Sequence, residues 1–231
     1  ASACCCRSRS RADERRRAAH EAPILRTPLD DPQIVAPGGL ASARHVRPLF
    51  AVLAAAWHGR LALTYRRRAK NIGFKAGNIG DFCKRWGKDH DFAVMLDADS
   101  VMTVDLVLKL VRIMQIDPRL GILQSLVIGM PSTSAFARMF QFGMRLGMRS
   151  YTIGSAWWQG DCGPYWGHNA IVRLAPFMAH CDLPVLSEGA LVKGHVISHD
   201  QVEAVLMRRA GYGVCVLADE GSSFEQNPPT L

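Results

Sequence analysis

The cysteine patterns of metal-binding and disulfide-bonded proteins are missing from this chain of 231 residues. Its seven cysteines form one run near the start and four widely spaced positions, and no Cys-x-x-Cys pair occurs. This arrangement predicts neither a zinc site nor a disulfide framework. We expect buried, reduced thiols, which is the state typical of a cytosolic environment.

Long hydrophobic runs are also missing. The longest apolar stretch, Leu49 to Trp57, is too short for a membrane-spanning helix, which needs about 20 residues. Residues 1–20 lack the apolar core of a signal peptide. We therefore expect no transmembrane helix within this chain.

The formal charge of +8 is confined to the first part of the chain. Residues 1–70 contain 14 Lys and Arg against 5 Asp and Glu, whereas residues 71–231 contain 14 against 15. The arginine-rich stretch from Arg7 to Arg17 has no aromatic residue that could stack on bases. A solvated tail is therefore favoured over an RNA-binding arm, and we expect no nucleic-acid partner.

The chain changes character at about residue 60. Residues 1–60 are rich in Arg, Pro and Ala, and we expect them to lie outside the core, with 1–45 disordered or poorly packed. From residue 61 onward, strands and helices alternate, which is typical of an α/β fold with a mostly parallel sheet flanked by helices. We predict strands at 61–65, 92–96, 122–128, 170–173 and 214–217, and helices at 78–85, 104–115, 135–149 and 199–210.

Two aspartates follow the strand predicted from Phe92 to Leu96. Asp97 and Asp99 stand at its carboxyl end, the edge at which open α/β sheets bind ligands. Mg²⁺ is usually held by one or two carboxylates together with substrate phosphates. The pair therefore suggests a site for a metal and a diphosphate. The alternative is that both residues only cap the following helix or turn.

A glycine-rich segment from Arg66 to Phe82 precedes these aspartates. Its glycines allow the backbone to approach a ligand closely, and Lys75 can place a positive charge on a diphosphate. The spacing does not match a P-loop. Taken alone, the segment predicts a glycine-rich loop at a helix N-terminus. Beside the aspartates, it suggests a second wall of a nucleotide site.

A third aspartate, Asp200, falls in the first turn of a predicted helix. Ser198 and Gln201 have the spacing of a capping box, which makes Ser198 the N-cap. Asp200 could then have only a structural role, in which its negative charge interacts favourably with the positive end of the helix dipole. The functional alternative is a general base.

Aromatic residues cluster in the segment from Ser155 to Arg173, which is interrupted by glycines at 160, 163 and 167. Aromatic faces pack against the apolar faces of sugar rings, and they also form structural clusters. Polar neighbours, including His168, favour a carbohydrate site. The three tryptophans and the tyrosine of this segment are Trp157, Trp158, Tyr165 and Trp166.

In this order, the motifs resemble those of the processive family 2 glycosyltransferases, the group of cellulose, chitin and hyaluronan synthases. The matching sequence segments lie between about Tyr65 and Leu231 and include KAGN, LDADS, YWGHNAI, GHVISHD, VEAVLMRRAG and SSFEQNPPTL. The resemblance implies a GT-A fold and an inverting hexosyltransferase with UDP-glucose as donor, a growing β-glucan as acceptor and a divalent metal, Mg²⁺ or Mn²⁺. It also implies a full-length protein of the bacterial inner membrane with a cytoplasmic catalytic domain.

The same resemblance implies roles for individual residues. Asp97 and Asp99 would hold the metal and the UDP, and Asp200 would be the catalytic base. The nucleotide would be bound further by Lys75, Gly77 and Asn78. The acceptor would be bound by Trp158, Trp166 and His168.

The chain also departs from the family pattern. The first strand of the family and its acidic motif have no match in residues 1–60, and the arginine-tryptophan motif is not reached. We therefore expect residues 61–231 to be a partial GT-A catalytic domain with impaired activity. The alternatives are another β-glycan synthase, such as a cellulose or chitin synthase, and a non-catalytic basic binding polypeptide. A dinucleotide-binding fold is disfavoured because no G-x-G-x-x-G follows a strand.

Overall fold

The computed structural model describes residues 34–37, 51–52, 55–56, 58, 63–66, 68–186, 194–196, 198–219 and 221–227. The chain separates into two compact units, one of residues 22–79 and one of residues 1–21 and 80–231. Most of the segment 1–60, for which we predicted little packing, lies outside the described residues. In the part that is described, no helix combines the length and the apolar character needed to cross a membrane.

The unit of residues 22–79 contains a parallel pair of strands. Strand β1 (Ile34–Pro37) pairs with β2 (Leu63–Arg66), which overlaps the strand predicted at 61–65 and ends one residue later. The guanidinium of Arg66 donates to the backbone carbonyl and to the side-chain oxygen of Asn78, at 3.1 and 2.6 Å. These hydrogen bonds tie β2 to the first helix, α1 (Phe74–Trp86).

Helix α1 begins four residues before its predicted start at Asn78. Lys75 and Gly77 therefore lie within the helix, and the prediction of a glycine-rich loop at these positions is wrong. The physical reason is that the preceding segment folds back over the first turn. A Cβ on Gly77 would collide with the carbonyl oxygen of Ile72, and the guanidinium of Arg68 donates to the same oxygen at 2.9 Å. Gly77 thus permits a close backbone approach.

A four-stranded sheet forms the centre of the second unit. It consists of β3 (Phe92–Met95), β5 (Leu120–Ser125), β7 (Ala170–Arg173) and β10 (Gly213–Leu217), in the order β10-β5-β7-β3. β10 is parallel to β5, whereas β7 is antiparallel to both β5 and β3. Three of the four strands therefore run in one direction, with β7 opposed between two of them. The α/β class predicted from the sequence is confirmed.

Short strands form two further sheets. β11 (Ser223–Glu225) pairs antiparallel with β4 (Val101–Met102) and parallel with β6 (Ile128–Gly129). β8 (Val185–Leu186) pairs antiparallel with β9 (Gly194–His195). The single strand predicted at 122–128 is therefore wrong in extent. The chain leaves the central sheet after β5 and joins the sheet of β11, so that β5 and β6 are separate strands.

Four helices accompany these strands: α2 (Val104–Ile116), α3 (Ala135–Gln159), α4 (Leu174–His180) and α5 (His199–Arg209). α2 and α5 lie within one residue of their predicted bounds. α3 extends ten residues beyond its predicted end at Arg149, because glycines in a helix interior are tolerated where packing supports the helix. It ends where Gly160 adopts a positive φ of 59°.

Apolar side chains of α2 pack against the central sheet. The buried cluster includes Leu106, Leu110 and Met114 from the helix and Leu123, Ile171 and Cys215 from the strands. Burying each large side chain contributes roughly 1.5–3 kcal/mol. This packing holds the sheet in register, so the chain emerges from β3 at a defined edge, where the Asp-x-Asp motif follows.

Candidate active site

The Asp-x-Asp motif lies in a tight turn directly after β3. The N–H of Asp97 donates to Ser100 Oγ at 3.2 Å, and the N–H of Ser100 donates to the Asp97 carbonyl at 3.1 Å. Asp97 is half-buried and Asp99 is exposed. The N-cap of α2 is Thr103, whose hydroxyl accepts the N–H of Leu106. The aspartates therefore do not cap the following helix.

Asp200 stands in the first turn of α5. Its Oδ1 accepts from Ser198 Oγ at 2.9 Å and from the N–H of Gln201 at 3.0 Å. Ser198 is the N-cap residue, but its hydroxyl caps no backbone N–H. The Gln201 side chain donates to the carbonyl of Tyr165 at 2.8 Å. The predicted capping box is wrong because both side chains have found other partners.

The loop from Tyr165 to Asn169 packs against Asp200. Gly167 has a φ of +79°, and a Cβ added there would stand 3.3 Å from Asp200 Cβ and 3.6 Å from its Oδ2. A larger residue would therefore meet both a strained backbone and a carboxylate. The glycine allows the loop and the start of α5 to share this position.

Tyr165 begins the loop that packs against Asp200, and its carbonyl accepts from Gln201. Its side chain is fully buried, and its hydroxyl has no hydrogen-bond partner among the described residues. Burial, followed by the carboxylates of Glu203, Asp200 and Asp97, raises the pKa of Tyr165 well above its usual value. Met95, two residues before Asp97, pairs with Ala170, which directly follows the loop packed against Asp200. The structure thus brings the end of β3 and the start of α5 together.

A buried pair lies on the inner side of α5. His199 Nδ1 is 2.9 Å from Glu203 Oε2, and the two side chains are only 8% and 3% exposed. A buried carboxylate needs such a partner, so the pair holds the first turn of the helix in place. This pair was not predicted from the sequence. The spacing of four residues, which puts both side chains on one helix face, is the signal that could have found it.

Two buried thiols lie near this pair. Burial, with a further contribution from Glu203, raises the pKa of Cys83 to about 11 and that of Cys181 to about 12. Cys181 Sγ donates to the carbonyl of Glu203 at 3.6 Å. Both thiols are therefore protonated near neutral pH. The predicted burial of the cysteines is confirmed at these two positions and at Cys215, whereas it is wrong for the exposed Cys162.

Gln124, at the end of β5, positions the loop. Its side chain is completely buried. Its amide nitrogen donates to the His168 carbonyl at 2.9 Å, and its Oε1 accepts the N–H of Trp166 at 2.9 Å. One side chain thus holds both ends of the segment Trp166 to His168. This role was not predicted, although a glutamine near the end of an apolar strand at the ligand-binding edge is a usable signal.

Asn169 anchors the other side of the loop. It is fully buried with a φ of +49°, and its Nδ2 donates to Ser223 Oγ at 2.7 Å and to the Phe224 carbonyl at 3.3 Å. His168 is half-buried, and its Nε2 lies 3.8 Å from Glu225 Oε2. The loop is therefore joined to β11 as well as to β5 and α5.

The remaining predicted residues lie on different elements. Trp158 is in the last turn of α3 and is 68% exposed, whereas Trp166 and His168 belong to the anchored loop. Lys75, Gly77 and Asn78 lie in the unit of residues 22–79. Their role in nucleotide binding stays a prediction.

The donor atoms of the turn suit a hard divalent cation. Within the described ranges, no three His, Cys, Asp or Glu side chains converge as a closed metal site. Asp97 and Asp99 supply carboxylate oxygens from a single turn. Mg²⁺ and Mn²⁺ favour such oxygens, and Mg²⁺ commonly completes its shell with phosphate and water. The residues present therefore fit a metal that is held jointly with a diphosphate.

An α/β domain with this turn and this aspartate defines a class of enzyme when it is compared with known families. Residues 92–231, from β3 to the last residue, match the family model described as glycosyl transferase family group 2. The chain belongs to this family of glycosyltransferases. Because the match lies outside the basic N-terminal segment, the interpretation as a non-catalytic basic polypeptide is not favoured.

Among curated proteins, the chain is similar to three that share the name Glucans biosynthesis glucosyltransferase H. They come from Vibrio cholerae (strain N16961), Pseudomonas aeruginosa (strain PAO1) and Escherichia coli (strain K12). Each is 46% identical to this chain, over 173, 167 and 174 residues, which is 75%, 72% and 75% of it. The aligned part covers only 24%, 19% and 20% of these relatives, respectively.

Proposed function

We propose that this chain is part of a hexosyltransferase that transfers glucose from UDP-glucose to a growing β-glucan with inversion at the anomeric carbon. The name shared by the curated relatives supports glucosyl transfer in glucan biosynthesis. The observation that carries the proposal is the loop from Tyr165 to Asn169, which lies against Asp200 and leads into β7 beside the end of β3, where Asp97 follows. A donor site and a base must lie close together for such a transfer.

The donor would be bound at the turn after β3. Asp97 and Asp99 would hold a divalent metal, Mg²⁺ or Mn²⁺, which when bound supplies positive charge to the leaving diphosphate. Lys75 would add a further charge, and Gly77 and Asn78 would contact the nucleotide. This arrangement would orient the sugar for attack.

Asp200 would act as the general base. It would take the proton from the acceptor hydroxyl as that oxygen forms a bond to C1 of glucose. The bond between C1 and the diphosphate oxygen breaks, and its electron pair leaves with UDP. A single displacement of this kind inverts C1. Trp166 and His168, in the loop against Asp200, would orient the acceptor together with Trp158.

The complete protein would reside in the bacterial inner membrane, with the catalytic domain on the cytoplasmic side and membrane helices outside this chain. Its partners would be UDP-glucose and the glucan acceptor, without nucleic acid.

The test is incorporation of labelled glucose by a full-length protein that contains this chain. Asp200→Asn should lower the rate by about three orders of magnitude or more, as removal of one member of a catalytic unit does. Asp105→Asn is the matched control, because Asp105 is also an aspartate in the first turn of a helix. Rates near the wild type for Asp200→Asn would refute the base assignment. Linkage analysis of the product would separate this function from cellulose or chitin synthesis.

A further inference from the structure

The long helix α3 turns its large apolar side chains away from the protein. Its buried face is made of small or polar residues: Ala137, Gln141, Thr152 and Ala156. Its outer face carries large apolar residues that are 44–72% exposed: Met139, Phe142, Leu146, Ile153 and Trp157. Surface helices of water-soluble proteins show the opposite arrangement, with the apolar stripe facing the core. The outer face therefore suits a partner other than water.

These five residues, the apolar ridge of α3, lie along one side of the helix. With 3.6 residues per turn, their positions fall within about 60° of one another around the helix axis. From Met139 to Trp157 the ridge is about 27 Å long. Beside it runs a groove of about 720 Å³ with almost entirely apolar walls, which include Phe136, Phe140, Met144 and Tyr151.

The charge of α3 has a single sign. The helix contains no Asp or Glu, and the exposed Arg138 and Arg145 lie together on one flank of the apolar ridge. The combination of an apolar face with Trp and Phe, flanking arginines and no acidic residue is that of helices which lie in a membrane interface. Long arginine side chains can reach headgroups while the neighbouring apolar residues enter the acyl region.

We propose that the apolar ridge of α3 docks on the surface of a bilayer that contains anionic lipids, with Arg138 and Arg145 at the headgroups. A second copy of the chain fits this face less well, because α3 has no Asp or Glu that could pair with the arginines of another copy. A glucan fits less well, since the groove has few groups that could hydrogen-bond to hydroxyls. The inference stands on α3 alone and does not rest on the proposed glucosyl transfer.

The test uses the full chain and vesicles of phosphatidylcholine with phosphatidylglycerol. Vesicles with brominated acyl chains should quench tryptophan fluorescence, and Trp157→Phe should remove much of the quenching. Met139→Glu combined with Leu146→Glu should lower vesicle partitioning by more than about tenfold, since apolar burial drives interfacial binding. Arg138→Gln combined with Arg145→Gln should reduce the preference for the anionic lipid.

The matched control is Val104→Glu combined with Val205→Glu, which adds the same charge at exposed apolar positions of α2 and α5. This variant should bind like the wild type, and circular dichroism checks that all variants are folded. Equal binding by both double variants would overturn the proposal, because the basic N-terminal segment would then account for it. The proposal also fails if the wild type does not bind the vesicles and instead forms a dimer that the α3 variant abolishes. Sedimentation equilibrium measures the dimer. Neither vesicle binding nor sedimentation measures sugar transfer. Failure of the membrane-docking proposal is therefore distinct from failure of the proposed function.

Discussion

The carboxylate of Asp200 lies directly against the backbone of Gly167, with only 3.6 Å between Asp200 Oδ2 and the place of a Cβ on that glycine. This contact joins the start of α5 to the loop that Gln124 and Asn169 hold from the other side. The position of the proposed base therefore depends on the position of the proposed acceptor loop. A substitution at Gly167 should shift Asp200, and a substitution at Asp200 should shift the loop.

Gly167→Ala should lower the free energy of unfolding by about 1–2 kcal/mol, because an L side chain is strained at its positive φ. It should also reduce glucosyl transfer in the full-length protein, since the new methyl group crowds Asp200. Urea unfolding and labelled-glucose incorporation measure the two effects. Gly154→Ala is the control, because a Cβ at this position of α3 meets nothing within 4 Å. It should be neutral or stabilising by up to about 1 kcal/mol.

Glu203→Ala should destabilise the chain by about 3–5 kcal/mol, because it leaves His199 buried without its carboxylate partner. Thermal or denaturant unfolding measures the loss. The control is Arg85→Ala, which removes an exposed pair with Asp81 at the same spacing of four residues. That pair should be worth less than about 1 kcal/mol. Equal effects of the two variants would contradict the buried character of the His199 pair.

Asn169→Ala should cost about 2–3 kcal/mol, because it removes two buried hydrogen bonds from a residue in a left-handed conformation. Since one of these bonds goes to Ser223 Oγ, the effects of Asn169→Ala and Ser223→Ala should not add. A double-mutant cycle in urea should give a coupling energy of at least about 0.5 kcal/mol. Pairing Asn169→Ala with Thr103→Ala, at the cap of α2, should give additive effects. Additive effects in both cycles would contradict the role of the Asn169–Ser223 hydrogen bond in holding the loop.

The buried thiols should make the fold less stable in alkaline solution. Their pKa values rise from 9.0 in the unfolded chain to about 11 for Cys83 and about 12 for Cys181. Above pH 9 the unfolded chain loses these protons first, so the contribution is complete below pH 9 and declines as the pH approaches 11–12. Urea midpoints between pH 8 and 10.5 should fall. They should fall less in Cys83→Ala combined with Cys181→Ala.

Alkylation gives an independent check of the same thiols. Cys162 is exposed, whereas Cys83 and Cys181 are buried. Peptide mapping after treatment with iodoacetamide at pH 8 should find Cys162 modified in the folded chain and the other two only after unfolding. Rapid modification of Cys181 in the folded chain would contradict its burial.

Much of the architecture follows from local patterns. The strand at 170–173 has its predicted bounds, and α2 ends just before Pro118, as a proline requires. The aspartates after β3 stand where a buried strand ends. By contrast, the predicted end of α3 came ten residues early. The packing of the buried face of α3 against the protein outweighs the low helix propensity of Gly154 in the extended part of the helix.

Local sequence patterns predict where segments are apolar, where they turn and which carboxylates follow them, because these properties depend on near neighbours along the chain. The partner that each polar side chain takes, by contrast, depends on the packed fold. Gln201 binds the carbonyl of Tyr165 and not a helix cap, and Gln124 holds a loop more than 40 residues away. Such choices depend on distances between remote segments, which are set when the helices pack on the sheet and which no local pattern encodes.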